Sequence, residues 1–224
     1  MAQCNSWREM VHGNDARLLS RMFNKISDAM AKEKDFLTEL DEAIGDADHG
    51  STMSLGFSAV ASELSRSDLD SMTAAEVMTA AATTFLDAVG ASTGPLYATG
   101  FLHASDRMNA HRPLDAAGQV AMLRAITTGI QQRGKGMRGD KTMLDAWMPA
   151  ADAAEARSGE PGHIWSSACE AGELGAKATQ SMIALRGRAA RLGERSLGHI
   201  DPGAASAVVI LKAMRETFDG TASR

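Results

Sequence analysis

Asp201-Pro202-Gly203-Ala204-Ala205-Ser206-Ala207-Val208-Val209-Ile210-Leu211 contains the one strongly β-favouring run of the chain, Val208 to Leu211. Read by itself, that run suits a strand. The residues before it point the other way. An aspartate such as Asp201 caps a helix, because its side-chain oxygen accepts from the free N–H groups of the first turn. Pro202 then falls at the first helical position, where a missing N–H costs nothing. The Val-Ile-Leu run therefore reads as the buried stretch of a helix, and strand patterns are nearly absent elsewhere.

Helical periodicity fills the rest of the chain. Leu18, Leu19, Met22, Ile26 and Met30 predict a helix over 14–32, and Phe36, Leu37, Leu40 and Ile44 a second over 34–44 that Gly45 ends. Met53, Phe57, Val60 and Leu64 mark a third. Thr73 and Glu76 form a capping box for a fourth that ends near Gly90. Pro95 opens a fifth, and a sixth runs from about Asp115 to Gln132 and stops at Gly134. A seventh begins near Lys141 or Thr142, and a long eighth spans His163 to Arg188, rich in Ala and Gly that permit close packing. The expectation is an all-α fold: about eight or nine helices in a single antiparallel bundle or helical barrel, with residues 1–224 forming one domain.

Composition agrees. Of 224 residues, 44% are apolar and 23% charged, an ordinary balance for a globular protein, while aromatics are only 4%. A net charge of −5 gives no basic footprint, so nucleic acid is not expected as a partner. The first residues carry no signal-peptide pattern, and no stretch approaches the ~20 apolar residues of a membrane helix. Cys4 and Cys169 have no metal-binding spacing and read as free thiols, so the expected setting is cytoplasmic, away from membranes.

The chemistry concentrates in LDEAIGDADHG, residues 40–50. Asp41 falls in the last turn of one helix, and Asp46 and Asp48 follow its glycine stop. Carboxylates clustered at the negative end of a helix repel. A solvated acidic surface tolerates that; glycines that fold the three toward one point instead favour a hard divalent cation with all-oxygen ligation. Directly afterwards His49-Gly50-Ser51-Thr52 enters a helix, and a helix N-terminus suits phosphate as well as an ordinary cap. Further glycine-rich loops lie at 90–95, 134–142 and 192–203. The second of these is not a P-loop, because Asp140 separates Gly139 from Lys141 and no strand precedes it.

These segments together resemble the L subunit of dihydroxyacetone kinase, which is similar to the C-terminal domain of single-chain ATP-dependent dihydroxyacetone kinases. The resemblance runs from about Leu37 to Leu211 and rests on four stretches: residues 40–50, VGASTGPLYATGF (89–101), RGDKTMLDAWMPA (138–150) and GRAARLGERSLGHIDPGA (187–204). It implies an eight-helix barrel with a nucleotide site on the loops at one end. It assigns Asp41, Asp46 and Asp48 to two Mg²⁺ ions that bridge to ADP or ATP. It assigns His49, Gly50, Ser51, Thr52, Ser92 and Thr93 to nucleotide and phosphates. Gly134 and Met143 would line the adenine and ribose side, and Arg195 with Asp201, Pro202 and Gly203 would close the pocket. Two residues depart from the usual pattern: Ala91 replaces a glycine and Arg138 a proline.

The resemblance further implies a phosphotransferase active only with a ketose-binding K subunit. Its phosphoryl donor is either a phosphohistidine protein of the phosphoenolpyruvate phosphotransferase system, acting on tightly held ADP, or ATP exchanging from solution. The ketose is a triose or a tetrose. A transcription regulator, for a nucleotide-dependent interaction module, and a second copy of the chain are further candidate partners. A rival from the residues alone is an HD-type metal phosphohydrolase, built on Asp48-His49 with His12 upstream. Trp7, Trp147 and Trp165 read as packing residues, and His12, His103, His111 and His163 as structural or surface groups. His199 lies within the last stretch and merits a test.

Overall fold

The computed structural model describes residues 2–90, 92–108 and 114–219, with side chains from residue 14 onward. Ala91, His111 and the side chains of Cys4, Trp7 and His12 therefore lie outside the described residues.

Eight α-helices carry the described chain: α1 (Ala2–Ile44), α2 (His49–Arg66), α3 (Ala74–Ala88), α4 (Thr93–Arg107), α5 (Ala116–Gly134), α6 (Leu144–Ala156), α7 (Ile164–Ala178) and α8 (Pro202–Phe218). The Val208–Leu211 run is helical, and Asp201 accepts from the Ala204 N–H at 2.7 Å. The capping box of Thr73 and Glu76 is complete at both ends. Asp115 caps α5 by accepting from the Gly118 N–H.

Three expectations need correction. The two helices predicted over 14–32 and 34–44 are one, because Lys32-Glu33-Lys34-Asp35 offers no breaker and the apolar face carries straight through from Met30 to Leu37, both fully buried. The predicted helix over 163–188 ends at Ala178 and gives way to 3-10 turns at Thr179–Ser181 and Ala189–Ser196. There the Thr179 carbonyl is claimed by the Lys141 ammonium at 2.6 Å and its hydroxyl by the Asp201 N–H at 2.9 Å. Pro95 is the third residue of α4 rather than the first, a position whose N–H still has no helical partner.

Each helix packs on the next in sequence, and α8 packs back on α1, so the eight close into a ring. Its interior holds a single apolar cluster, with Phe23, Phe57, Phe85, Tyr97 and Phe101 meeting edge-on or tilted and Trp147 against Tyr97. Trp165 stacks on Phe218 with centroids 4.9 Å apart. The Ala-Gly face of α7 packs close, as its sequence suggests: a Cβ on Gly175 would lie 1.9 Å from the Asp145 carbonyl oxygen on α6. Among the described residues no helix is long and apolar enough to cross a membrane.

This topology fixes where the loops go. In an up-and-down ring, alternate connections share an end. The α1–α2, α3–α4, α5–α6 and α7–α8 connections are the four glycine-rich segments of the sequence, and so they meet.

Candidate functional site

They meet around a cavity of about 710 Å³. On one side stands the junction of α1 and α2. Asp41, nearly buried at 9% exposure, turns one oxygen onto the backbone N–H groups of Asp48 and His49 at 3.0 and 3.1 Å. Asp41 therefore caps α2 from the preceding helix, and Asp48, at the cap position, makes no side-chain cap bond. Gly45 permits this closeness, since a Cβ there would sit 1.9 Å from Asp41 Oδ1. Ala47 takes a left-handed backbone (φ 61°) to finish the turn.

The outcome is that Asp41, Asp46 and Asp48 bring carboxylate oxygens within 4.8 Å of one another at the cavity mouth. Three carboxylates so close carry a large repulsion, which a hard cation would offset; the donor set is all oxygen and suits Mg²⁺. Among the described residues, no histidine joins this group. The HD-type reading needs histidine ligands; here His49 instead points Nε2 at Ser206 Oγ on α8, 2.9 Å away. Burial pushes the His49 pKa down, with the Asp41 charge opposing.

The other side of the cavity comes from α5–α6 and the stretch between α7 and α8. Lys141 is 1% exposed and has a left-handed backbone, and its ammonium donates to the carbonyls of Thr179 and His199. Desolvation lowers its pKa, against the pull of Asp201 and Asp145. Asp145 braces the same loop by accepting from the Gly139 and Thr142 N–H groups. Asp140 accepts from the Met137 N–H and the Arg186 guanidinium, and the latter holds its pKa below the usual carboxylate value. Burial pushes the Asp201 carboxyl up to about 7.

Of the residues singled out in the sequence, Asp41, Asp46, Asp48, His49, Thr52, Ser92, Thr93, Gly134, Met143, Asp201, Pro202 and Gly203 all line this cavity. Three do not. Gly50 is buried against α1, where a Cβ would meet the Lys34 carbonyl at 2.0 Å; Ser51 is exposed. Arg195 is exposed too, beyond a kink at Gly193 (φ 56°, ψ −127°). Arg188, which the sequence reading did not single out, lines the cavity instead and pairs with both Asp46 and Asp48. No local signal distinguishes it from Arg186, Arg191 or Arg195. His199 is exposed and contributes its carbonyl.

An all-helical ring with an acid-lined cavity on its alternate loops defines the class, and the chain belongs to the DAK2 domain family, whose model matches residues 43–216. More particularly, it is 35% identical to the ADP-binding subunit DhaL of PEP-dependent dihydroxyacetone kinase 1 from Listeria innocua, over 88% of this chain and 94% of that one. It is 36% identical to the corresponding subunit from Escherichia coli K12, over 85% of this chain and 91% of that one. The crystal structure of the dihydroxyacetone kinase of C. freundii superposes with a TM-score of 0.69 at 25% identity, covering 91% of this chain and 34% of the larger enzyme.

Proposed function

We propose that the chain is the nucleotide- and magnesium-binding subunit of a small-ketose kinase of the dihydroxyacetone type. The observation that carries this reading is the meeting of three carboxylates with the N-terminus of α2 at the mouth of one cavity. The names of its relatives, ADP-binding subunits of a PEP-dependent kinase, support both the nucleotide and the route by which it is recharged.

In this reading the chain acts in the cytoplasm as one domain, partnered with a K subunit that holds the ketose. Asp41, Asp46 and Asp48 would hold magnesium, two ions in the full site, and the bound metal supplies positive charge that neutralises phosphate oxygens. The first N–H groups of α2 are satisfied by Asp41, which holds that carboxylate at the edge of the site. Thr52, Ser92 and Thr93 offer hydroxyl donors along the phosphates, and Gly134 and Met143 leave room for the base and ribose. Arg188, already over the acidic group, can turn to a phosphate once a cation takes its place on Asp46 and Asp48. A phosphohistidine protein would convert bound ADP to ATP, whose terminal phosphoryl group passes to a ketose hydroxyl on the K subunit. Transfer of this kind is mostly positioning and charge neutralisation, which is what these loops supply.

The test is to denature freshly purified protein, with no nucleotide added, and assay the supernatant for ADP and magnesium. About one ADP per chain is expected for the tightly held cofactor of this scheme. A protein that arrives empty and binds Mg-ATP reversibly would indicate exchange from solution. Failure to bind either nucleotide with excess magnesium would refute the kinase reading.

A further inference from the structure

The His49 ring, at the cavity mouth, is gripped from behind. Its Nε2 meets the Oγ of Ser206, a fully buried residue of α8, at 2.9 Å. The same hydroxyl donates to the Gly203 carbonyl at 3.0 Å. A serine has one proton to give. Both contacts close only if that proton goes to Gly203 and Oγ accepts from an Nε2–H on His49. In the neutral ring Nδ1 is then the nitrogen left with a lone pair.

The fully buried Tyr97 hydroxyl neighbours both Ser206 and Trp147, whose ring lies 6.4 Å from its own, so the hydroxyl of Ser206 is enclosed on its inner side.

We infer that Ser206 is a positioning residue for the nucleotide site: it fixes the orientation and Nε2–H tautomer of His49. The link to the nucleotide rests on the function proposed above; the proton arrangement does not. The lone pair of Nδ1 can accept from a nucleotide hydroxyl or a water of the metal shell, which a protonated Nδ1 could not do.

The experiment is ¹⁵N NMR of the imidazole of His49 in nucleotide-free protein, paired with calorimetric titration by Mg-ADP. The unaltered chain is expected to show the Nε2–H tautomer. Ser206→Ala should populate the other tautomer and weaken Mg-ADP binding roughly fivefold to tenfold, the loss of about one hydrogen bond, with its thermal midpoint confirming a folded chain. If that variant does not fold, Ser206→Cys, which keeps the volume but accepts weakly, serves the same comparison. An Nδ1–H tautomer in the unaltered chain, or spectra unchanged in the variant, overturns the inference. An altered tautomer with unaltered affinity overturns the positioning role. If the unaltered chain binds no Mg-ADP, the kinase reading falls while the ring spectra still decide what Ser206 does.

Discussion

The two walls of the cavity are built in opposite ways. The acidic wall is one turn between consecutive helices, and its defining bonds join residues seven and eight apart, from Asp48 and His49 to Asp41. The facing wall is tied by Lys141, whose ammonium bonds carbonyls 38 and 58 residues away. One wall concentrates charge of which the fold uses only Asp41, as a cap; the other buries a charge that holds the loops in place. The acidic wall should therefore be soft in stability and critical for binding, and the facing wall the reverse.

Asp46→Asn tests this most severely. Mg-dependent ADP binding is expected to fall at least about a hundredfold by calorimetry, more than the loss of a residue that merely supports a ligand. Its unfolding free energy should shift by no more than ~0.5 kcal/mol, as for other exposed sites. Undiminished binding of both metal and ADP would break the contrast. Lys141→Met should do the opposite, costing roughly 1–3 kcal/mol in urea unfolding, chiefly through the orphaned buried carbonyl of Thr179. A variant as stable as the parent would show that the clamp is ornamental.

Gly45→Ala should cost about 1–3 kcal/mol, the range for forcing atoms into filled space, because its Cβ collides with Asp41. With Asp41 itself, which caps α2, Gly45 is an acidic-wall position where a change is expected to harm stability and binding together. Asp201 gives a pH signature. Its folded pKa of about 7 lies above the ordinary carboxylate value. The stability associated with its neutral form is whole below about pH 4 and is lost as pH rises toward 7. Asp201→Asn keeps a capping oxygen and should flatten that fall, so its advantage over the parent grows from pH 5 to pH 8 in thermal melts; equal midpoints throughout would contradict it. The smallest effect is expected from Arg188→Ala in metal-free protein, under about 1 kcal/mol, because its ion pairs are exposed and screened.

The same contrast explains what could be read in advance. Asp41, Asp46, Asp48 and the cap at Asp201 are set by neighbours within one turn, so their spacing speaks for itself. That four loops share one end follows from ring topology and not from any loop's own residues. The end of α7 at Ala178 eludes periodicity, since Thr179 is diverted by Lys141 and Asp201, partners distant in the chain. The merging of two predicted helices into α1 had the opposite cause: an overread pause in a segment with no glycine or proline. Arg188 and Arg195 carry the same chemistry in one irregular stretch, yet Arg188 lines the cavity and Arg195, beyond the bend at Gly193, does not.

The seam where α8 meets α1 sets a schedule for folding. Most packing in the ring is between successive helices and can form quickly, as it does in other helical proteins of low contact order. The seam is different: Lys25 donates to the Glu216 carbonyl across 191 residues of chain. Closing so long a loop is entropically costly, so the last helix seals a structure already largely made. On a ribosome the acidic turn between α1 and α2 emerges well before α8, so its carboxylates are made long before the ring around them can close.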